Sequence, residues 1–415
     1  MVIRHRARVA AERISRLPGV PCHPGTMPAV AALLLIVSLA GVTPASGPLH
    51  LGEVGLESPQ GRQSWLDPTN VSGSPAVDSE APALVVTGVG SAHIVWEEGD
   101  ALYHAYQAAG SWSAPAPVAT GEQPSLAVTP AGTVHLVFVN EIDDVYNLYY
   151  TRWDGDDWAQ PPRKISDTGP FSDSPQLAAA ADGHLHVVWT EDEQVYYGNS
   201  SDGLVWAYAP IAEGSAPTIG VDGAGAVQAA WQGEEGADYD VCFSRLEGYS
   251  WLPPLNVSDS SDDSTAPDLF VKSDGTPHLA WQEVISATPR IRYSHGPGWT
   301  QTVTLSESGS GAYLPSLTID AWGRRHAAWE DFAFPTYRIR HTSSGAGDPI
   351  WSPPATLAQG SSLAQQLREV SLYPGSDGTV HVAWVESEGG KGEVFYLRSR
   401  LYPIYLPLLA NQVGA

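Results

Sequence analysis

The chain has 415 residues, and its 46 acidic side chains outnumber 21 basic ones to give a net charge of −25. So acidic a surface repels nucleic acid and anionic membranes, which excludes nucleic acid as a partner. Beyond residue 45 the only cysteine is Cys242, which excludes an intrachain disulfide and a cysteine zinc site there. The 41 glycines and 34 prolines favour an all-β domain with many turns.

The first 45 residues resemble a targeting segment. Five arginines before residue 17 precede an apolar run over residues 29–42, and small residues follow near Ala45. The run is shorter than the roughly 20 residues of a membrane span. We therefore predict a signal peptide over residues 1–45 and a secreted or cell-surface protein of bacterial-type export. An uncleaved N-terminal membrane anchor is the alternative. A linker follows over residues 46–63.

One pattern repeats seven times in the body of the chain. A short apolar strand, a glycine turn, a second strand such as HVVW and an aromatic third strand recur in order. The second strands begin at His93, His135, His186, Gln228, His278, His326 and His381, at intervals of 42 to 55 residues. Four short strands at such a period are typical of a β-propeller, in which each sheet buries its faces against its neighbours.

The fourth strand indicates how the ring closes. It is interpreted as ending in a tryptophan in six units, and the last unit lacks this strand. A seventh copy, SWLDPTNVS at residues 64–72, precedes the first unit and closely matches SWLPPLNVS at residues 250–258. We therefore predict an all-β, seven-bladed β-propeller of four-stranded antiparallel blades over residues 64–400. Its N-terminal strand completes the last blade, and an apolar C-terminal tail follows over residues 401–415.

The recurrent tryptophans and histidines are interpreted as structural. Thirteen of the fifteen tryptophans fall in second or fourth strands, and their strict recurrence favours inter-blade core over sugar-stacking platforms. Six histidines open second strands. Metal ligands must converge on one point, whereas one histidine per blade is spread around a ring. We predict a repeated hydrogen-bonding role for these histidines.

Acidic loops join the second strand to the third in nearly every unit. Strand order places these loops on the same face of the propeller as the connections between blades, around the central opening. The candidate ligand-binding residues of this face are Glu97, Glu141, Glu191, Glu234, Glu283, Glu330 and Glu386. Because carboxylates bind calcium and sugar hydroxyls, the face predicts a cation or polyhydroxyl site. A solvated acidic rim is the alternative.

The turn from the third to the fourth strand resembles a known motif. NSSDGLVW at residues 199–206 is similar to the Asp-box, or BNR repeat, Ser-x-Asp-x-Gly-x-x-Trp, with one spacer residue missing. TRWDGDDW at residues 151–158 and SRLEGYSW at residues 244–251 are looser copies. Through these degenerate motifs the chain resembles the sialidase-like β-propeller superfamily, which implies that fold. In that family the box is a structural turn on the face away from the active site.

The resemblance also implies a candidate chemistry. Sialidases of this kind hold the substrate carboxylate with three arginines and use a tyrosine–glutamate pair as the nucleophile. Their Arg-Ile-Pro signature near the first blade is absent, since no arginine lies between Arg62 and Arg152. Strand order nevertheless places suitable residues on the acidic face, namely Arg290, Arg338, Arg368, Tyr313 and Glu283. These residues define a hydrolase hypothesis.

We expect an exported, non-catalytic binding module that takes carbohydrate through the acidic face. A divergent sialidase-like glycoside hydrolase is the first alternative, and a protein-binding or structural scaffold is the second. We expect no cofactor, with calcium as the alternative because carboxylates are its ligands. The expected partner is carbohydrate or a cell-surface protein, the N-terminal apolar segment is a candidate membrane attachment, and the expected state is a monomer.

Overall fold

A computed structural model describes residues 64–74, 77–108, 110–167, 169, 171–235 and 238–400. The predicted leader, linker and C-terminal tail lie outside these residues. Within them, the regular elements are all β-strands, and none is a helix with the length and hydropathy of a membrane span. The strands form seven antiparallel sheets, which confirms the predicted seven-bladed propeller.

Strands are numbered in chain order, and β1 (Thr69–Asn70) precedes the first complete blade. Blade 1 contains β2 (Ser79–Val86), β3 (Ala92–Glu98), β4 (Ala101–Ala108), β5 (Ser111–Trp112) and β6 (Ala116–Thr120). Blade 2 contains β7 (Glu122–Val128), β8 (Val134–Ile142), β9 (Val145–Trp153) and β10 (Arg163–Lys164). Blade 3 contains β11 (Ser172–Ala179), β12 (Leu185–Glu191), β13 (Gln194–Ser200) and β14 (Ala207–Glu213).

Four blades complete the ring. Blade 4 contains β15 (Ser215–Val221), β16 (Val227–Glu235), β17 (Asp238–Glu247), β18 (Ser250–Trp251) and β19 (Leu255–Asn256). Blade 5 contains β20 (Ser264–Val271), β21 (Pro277–Ile285), β22 (Thr288–His295) and β23 (Val303–Thr304). Blade 6 contains β24 (Gly311–Ile319), β25 (Arg325–Ala333), β26 (Thr336–Ser344) and β27 (Ala355–Gln359). Blade 7 contains β28 (Gln365–Pro374), β29 (Val380–Glu388), β30 (Lys391–Arg398) and β1.

The first strands of successive blades contact one another in a closed circle, so they line the central axis. The hairpins between second and third strands meet the connections between blades at one end of the ring. There, Gly121 N donates to Asp100 O at 3.2 Å, and Gly214 N donates to Glu193 O at 2.8 Å. We call this end, formed by those hairpins and connections, the acidic face.

The core lies between the blades. The second-strand side chains Trp96, Phe138, Trp189, Trp231, Trp281, Trp329 and Trp384 are essentially inaccessible to water. The outer tryptophans join each blade to the one before it, edge-on to a third-strand ring at centroid distances of 4.8 to 5.7 Å. These pairs are Trp65–His341, Trp112–Tyr396, Trp158–His104, Trp206–Tyr150, Trp251–Tyr197, Trp299–Phe243 and Trp351–Tyr293. Both sets confirm the interpretation as inter-blade core.

Each second-strand histidine pairs with a third-strand side chain. His135 Nδ1 lies 2.8 Å from the Tyr150 hydroxyl. The equivalent pairs are His93–His104, His186–Tyr197, His278–Tyr293, His326–His341 and His381–Tyr396. In blade 4, Gln228 replaces the histidine and donates to Gly275 O at 2.9 Å. The predicted hydrogen-bonding role of the histidines is confirmed.

The N-terminal strand closes the ring. β1 pairs antiparallel with β30. Beyond it, Val71 N donates to Val394 O at 2.8 Å, and Val394 N donates to Ser72 Oγ at 2.9 Å. Blade 7 therefore has four strands and covers the edge that β30 would otherwise expose.

The outer tryptophans begin the fourth strand instead of ending it. Trp112 lies in β5 and Trp251 in β18, two-residue strands that pair with the end of the preceding third strand. The rest of each outer strand follows as β6 and β19. The interpretation of the tryptophan as the strand's end is therefore wrong. Pro115 and Pro253 follow these tryptophans, and a proline has no N–H to continue the ladder.

The degenerate Asp-box forms a structural turn on the face opposite the acidic face. Asp202 Oδ1 accepts the N–H groups of Leu204 at 2.7 Å and Val205 at 3.2 Å. Ser200 Oγ accepts the N–H of Gly203 at 2.9 Å. These hydrogen bonds hold the turn, as the family resemblance implies.

Candidate functional site

The seven predicted glutamates lie at the acidic face in three different positions relative to the buried second-strand ring. Glu97 and Glu330 lie one residue after it, Glu191, Glu283 and Glu386 two residues after it, and Glu141 and Glu234 three residues after it. Because side chains alternate between the two faces of a strand, the first two groups point toward different neighbouring blades. The seven carboxylates are therefore not equivalent members of one ring.

Glu97 and Glu330 bind the backbone of the following blade. Each first strand contains an irregularity in its register, and a residue with positive φ lies there. Glu97 Oε1 accepts the N–H of this residue in blade 2, Gln123, at 2.7 Å. Glu330 Oε1 accepts that of Glu369 in blade 7 at 2.5 Å. These two carboxylates stabilise blade junctions, since charge-assisted hydrogen bonds are among the stronger ones.

Glu191 and Glu283 are buried, and each carboxylate contacts side chains of its own blade. Glu191 accepts a hydrogen bond from Ser172 Oγ at 2.6 Å. Glu283 accepts one from Trp281 Nε1 at 3.1 Å and lies 3.3 Å from Arg292 Nε. Because both carboxylates are buried, a ligand cannot reach either of them without displacing these partners.

Glu141 and Glu234 occupy the hairpin tips of blades 2 and 4. Burial and the hydrogen bond with Glu141 raise the pKa of Tyr146, its cross-strand partner. Glu234 is exposed and lies opposite Tyr239. Both glutamates are accessible at the rim of the acidic face.

Arg290 and Arg338 lie at the junction of blades 5 and 6. Arg290 donates from Nη1 to the Ser310 carbonyl at 2.9 Å. Ser310 Oγ donates to Asp331 Oδ2 at 2.5 Å, and Arg338 Nε donates to Asp331 Oδ1 at 2.7 Å. Ser310 and Asp331 thus join the two guanidinium groups, and the Asp331 carboxylate neutralises Arg338.

Arg368 lies at the junction of blades 7 and 1. Its Nη2 donates to Glu80 Oε1 at 2.8 Å, and its Nη1 donates to Glu369 Oε1 at 3.3 Å. Burial lowers the pKa of Arg368, but the charges of Glu369, Glu80 and Asp78 outweigh burial and raise it. A substrate carboxylate would have to compete with these acceptors.

Tyr313 lies opposite Glu330 in the register of β24 and β25. Burial first, and then Tyr337 and the charges of Glu330 and Asp331, raise the pKa of Tyr313. The carboxylate beside this tyrosine is therefore Glu330. Glu283, which the hydrolase hypothesis placed beside Tyr313, belongs to blade 5.

A cavity of about 320 Å³ opens on the blade-7 sheet at the acidic face, and we call it the blade-7 cavity. It is lined by Asn70, Gln365, Glu386, Ser387, Glu388, Lys391, Glu393 and Phe395. All four strands of the blade contribute, including the N-terminal β1. Of these residues, sequence reasoning selected only Glu386. The recurrence of an aromatic residue in third strands was the available signal for Phe395.

Carboxylates dominate the blade-7 cavity. Glu386 and Glu393 face each other directly across β29 and β30, a register at which like charges repel. Glu386 accepts hydrogen bonds from Trp384 Nε1 at 3.1 Å and from Gln365 Nε2 at 3.3 Å, and Glu393 Oε2 accepts one from Asn70 Nδ2. The half-buried Phe395 supplies an apolar wall. This arrangement offers acceptors, amide groups and one ring surface to a ligand.

Carboxylates at such an acidic surface could hold a metal ion as well as a sugar. In the described ranges, no group of three or more His, Cys, Asp or Glu side chains is arranged to hold a metal ion. Hydrogen bonding is the chemistry that Glu386 and Glu393 already perform, since each accepts a hydrogen bond from an amide side chain.

Comparison with solved structures shows that this chain is similar in fold to several known proteins. The chain is similar to a polysaccharide lyase, an ulvan lyase, with 11% identity over 79% of this chain and 95% of that one and a TM-score of 0.57. A protein of unknown function from Dyadobacter fermentans has 12% identity over 81% and 99% of the two chains and a TM-score of 0.52. No protein-family model and no curated protein sequence matches. At 11% and 12% identity these two likenesses show the fold alone.

Proposed function

We propose that this protein is an exported, non-catalytic carbohydrate-binding propeller and that the blade-7 cavity holds the sugar. The observation that supports this most is the lining of that cavity, in which three carboxylates, two amides and one aromatic ring share about 320 Å³. Small-molecule sites combine an apolar surface with a few convergent polar groups in this way, and this volume is at the lower end of their range.

The chemistry of the cavity suits a polyhydroxyl ligand. Ionised carboxylates only accept hydrogen bonds, whereas Asn70 and Gln365 can both donate and accept. A sugar presents several hydroxyl donors, so it would relieve the repulsion between Glu386 and Glu393. The face of Phe395 offers area for the C–H groups of a sugar ring.

Two further considerations support carbohydrate as the ligand class. An ulvan lyase bound to -[GlcA(1-4)Rha3S]- has a TM-score of 0.53 to this chain, although the 11% identity limits that likeness to fold. Export through the predicted leader would place the propeller where polysaccharides are found. The strongly negative charge of the chain favours a ligand that is neutral or cationic over an anionic one.

The test is a glycan array probed with the wild-type protein and with Glu386→Gln and Glu393→Gln variants. We expect each substitution to weaken binding at least tenfold, because an amide replaces a charged acceptor. Glu247→Gln is the matched control, since Glu247 is exposed near the opposite face and its loss should change nothing. The array is run with and without calcium, because carboxylates also bind that ion.

Two outcomes would contradict the proposal. A wild-type protein that binds no glycan on the array leaves the scaffold hypothesis in its place. Binding that survives both glutamine substitutions moves the sugar away from the blade-7 cavity.

A divergent sialidase-like hydrolase is the second candidate, and one observation favours it. Tyr313 and Glu330 are cross-strand partners at the acidic face, and the family resemblance implies a tyrosine–glutamate nucleophile. Glycans that bind on the array are therefore also assayed for hydrolysis. Product release that Tyr313→Phe abolishes, and that the exposed Tyr249→Phe control leaves intact, would establish the hydrolase instead.

A further inference from the structure

A second cavity, of about 290 Å³, lies between blades 1 and 2. We call it the blade-2 cavity. Thr120 of blade 1 and Phe138, Asn140, Tyr149 and Gln160 of blade 2 line it, together with apolar atoms of neighbouring residues. Gln160 also bridges the two blades, because its Nε2 donates to Val118 O at 3.0 Å.

The blade-2 cavity shares two lining positions with the blade-7 cavity. Asn140 lies two residues after the buried second-strand ring, as Glu386 does in blade 7. Tyr149 pairs in register with that ring, as Phe395 does. The stacked rings Phe138–Tyr149 and Trp384–Phe395 both have centroids 5.9 Å apart. The repeat of the propeller therefore relates these two positions, whereas the remaining lining residues of each cavity are its own.

A glycine stands in the connection before blade 2 and before blade 7, as one also does before blade 4. Gly121 has a φ of 153°, and a Cβ there would lie 2.5 Å from Phe138 Cδ2. Gly360 stands in the same connection before blade 7, where a Cβ would lie 2.5 Å from Gln365 O. In both places the chain passes directly against the wall of the cavity, and only glycine fits that approach.

The linings differ in charge. The blade-7 cavity has three glutamates and a lysine, whereas the blade-2 cavity is lined by two amides, a hydroxyl, two aromatic rings and apolar atoms. Neutral amides and hydroxyls both donate and accept hydrogen bonds, and they carry no net charge. A site of this kind selects by hydrogen bonding and ring contact alone.

We infer that the blade-2 cavity is a second carbohydrate site that binds an uncharged sugar, which makes the propeller bivalent. The inference rests on the proposed function, because it assigns the same ligand class to a repeated position. Two sites on one rigid ring strengthen the binding of a polysaccharide beyond either site alone, provided that one polymer spans both. The lining of the blade-2 cavity has no carboxylate, histidine, lysine or arginine, so binding there should not depend on pH near neutrality.

The experiment uses the full chain and a panel of neutral oligosaccharides, namely laminaripentaose, cellopentaose and N-acetylchitopentaose, followed by saturation-transfer NMR and calorimetry. Two variants, Asn140→Ala and Gln160→Ala, alter the blade-2 cavity. Glu386→Gln alters the blade-7 cavity. Circular dichroism checks that each variant is folded. Because Gln160 is exposed, Gln160→Ala still tests the cavity if Asn140→Ala fails to fold.

We expect at least one neutral oligosaccharide to bind the wild-type protein. Its affinity should fall tenfold or more in each blade-2 variant and should be unchanged in Glu386→Gln. Its affinity should be the same at pH 6.5 and pH 8. If neutral oligosaccharides respond only to Glu386→Gln, or if none binds while array glycans still do, the second site is wrong and the proposed function stands. If the wild type binds no glycan in either experiment, both proposals fail.

Discussion

Lowering the pH from 7 to 5 is expected to unfold the propeller, because eight histidines are buried as neutral side chains. Burial lowers the pKa of His135, His186 and His381 to about 4 and that of His278 to about 3. The same effect lowers the pKa of His93 to about 4 and, with the charge of His93, that of His104 to about 3. In the unfolded chain these side chains take up protons near pH 6.5.

The sign and size of the effect follow from linkage. A folded-state pKa below the unfolded value means that the unfolded chain binds more protons between pH 6.5 and about 4. The free energy of unfolding therefore decreases as the pH is lowered through that range. Each such histidine costs about 1.4 kcal/mol per pH unit below 6.5. At pH 5, six of them together remove on the order of 10 kcal/mol, which is comparable with the whole stability of a typical domain.

Urea unfolding at pH 8, 7, 6 and 5 measures this dependence. The double substitution His135→Gln with Tyr150→Phe copies the Gln228–Phe243 pair of blade 4 and should make the pH dependence shallower. His184→Gln is the control, since this side chain is about half exposed and belongs to no buried pair. A free energy of unfolding that stays constant from pH 7 to pH 5 would contradict the account.

Removing the N-terminal strand is expected to prevent stable folding. A chain that begins at Ser74 lacks β1, the buried Val71 and the Trp65 contact with His341, whose centroids are 5.0 Å apart. It also exposes the edge of β30, and an open edge promotes association between chains. Loss of these hydrogen bonds and apolar contacts amounts to roughly 5 kcal/mol or more.

The matched control begins at Ser64 and keeps the strand. We expect this control to unfold cooperatively in urea and the shorter chain to aggregate or to unfold at a far lower urea concentration. A synthetic peptide of residues 64–74 should restore the stability of the shorter chain, since the hydrogen bonds and apolar contacts of the strand with blade 7 do not depend on its covalent link to the rest of the chain. Equal unfolding midpoints for the two chains would show that ring closure contributes little.

The repeat made most of the fold predictable. The recurrence of HVVW-like strands indicated seven blades, and the copy at residues 64–72 indicated which strand closes the ring. Trp65 and Trp251 show why the outer strand was harder. The prolines after these rings interrupt the ladder, so its two halves pair separately with the third strand.

The candidate site was less predictable because strand position changes the meaning of a glutamate. Glu97 and Glu386 lie in similar acidic stretches, yet a shift of one residue turns one toward a backbone N–H of the next blade and the other into a cavity. Composition cannot distinguish these cases, whereas register can. The blade-7 cavity also requires Asn70 and Gln365, which are far apart in the sequence and meet only when the ring closes.

Hydrogen–deuterium exchange with a glycan from the array tests the central claim most directly, because it reports where the ligand is held. With saturating glycan, we predict slower exchange in the hairpin of β29 and β30 and in β1, and unchanged exchange in the Asp-box turn at residues 201–206. Protection that is confined to the opposite face, or that leaves the β29–β30 hairpin unchanged while the glycan is bound, would contradict the assignment of the blade-7 cavity as the sugar site.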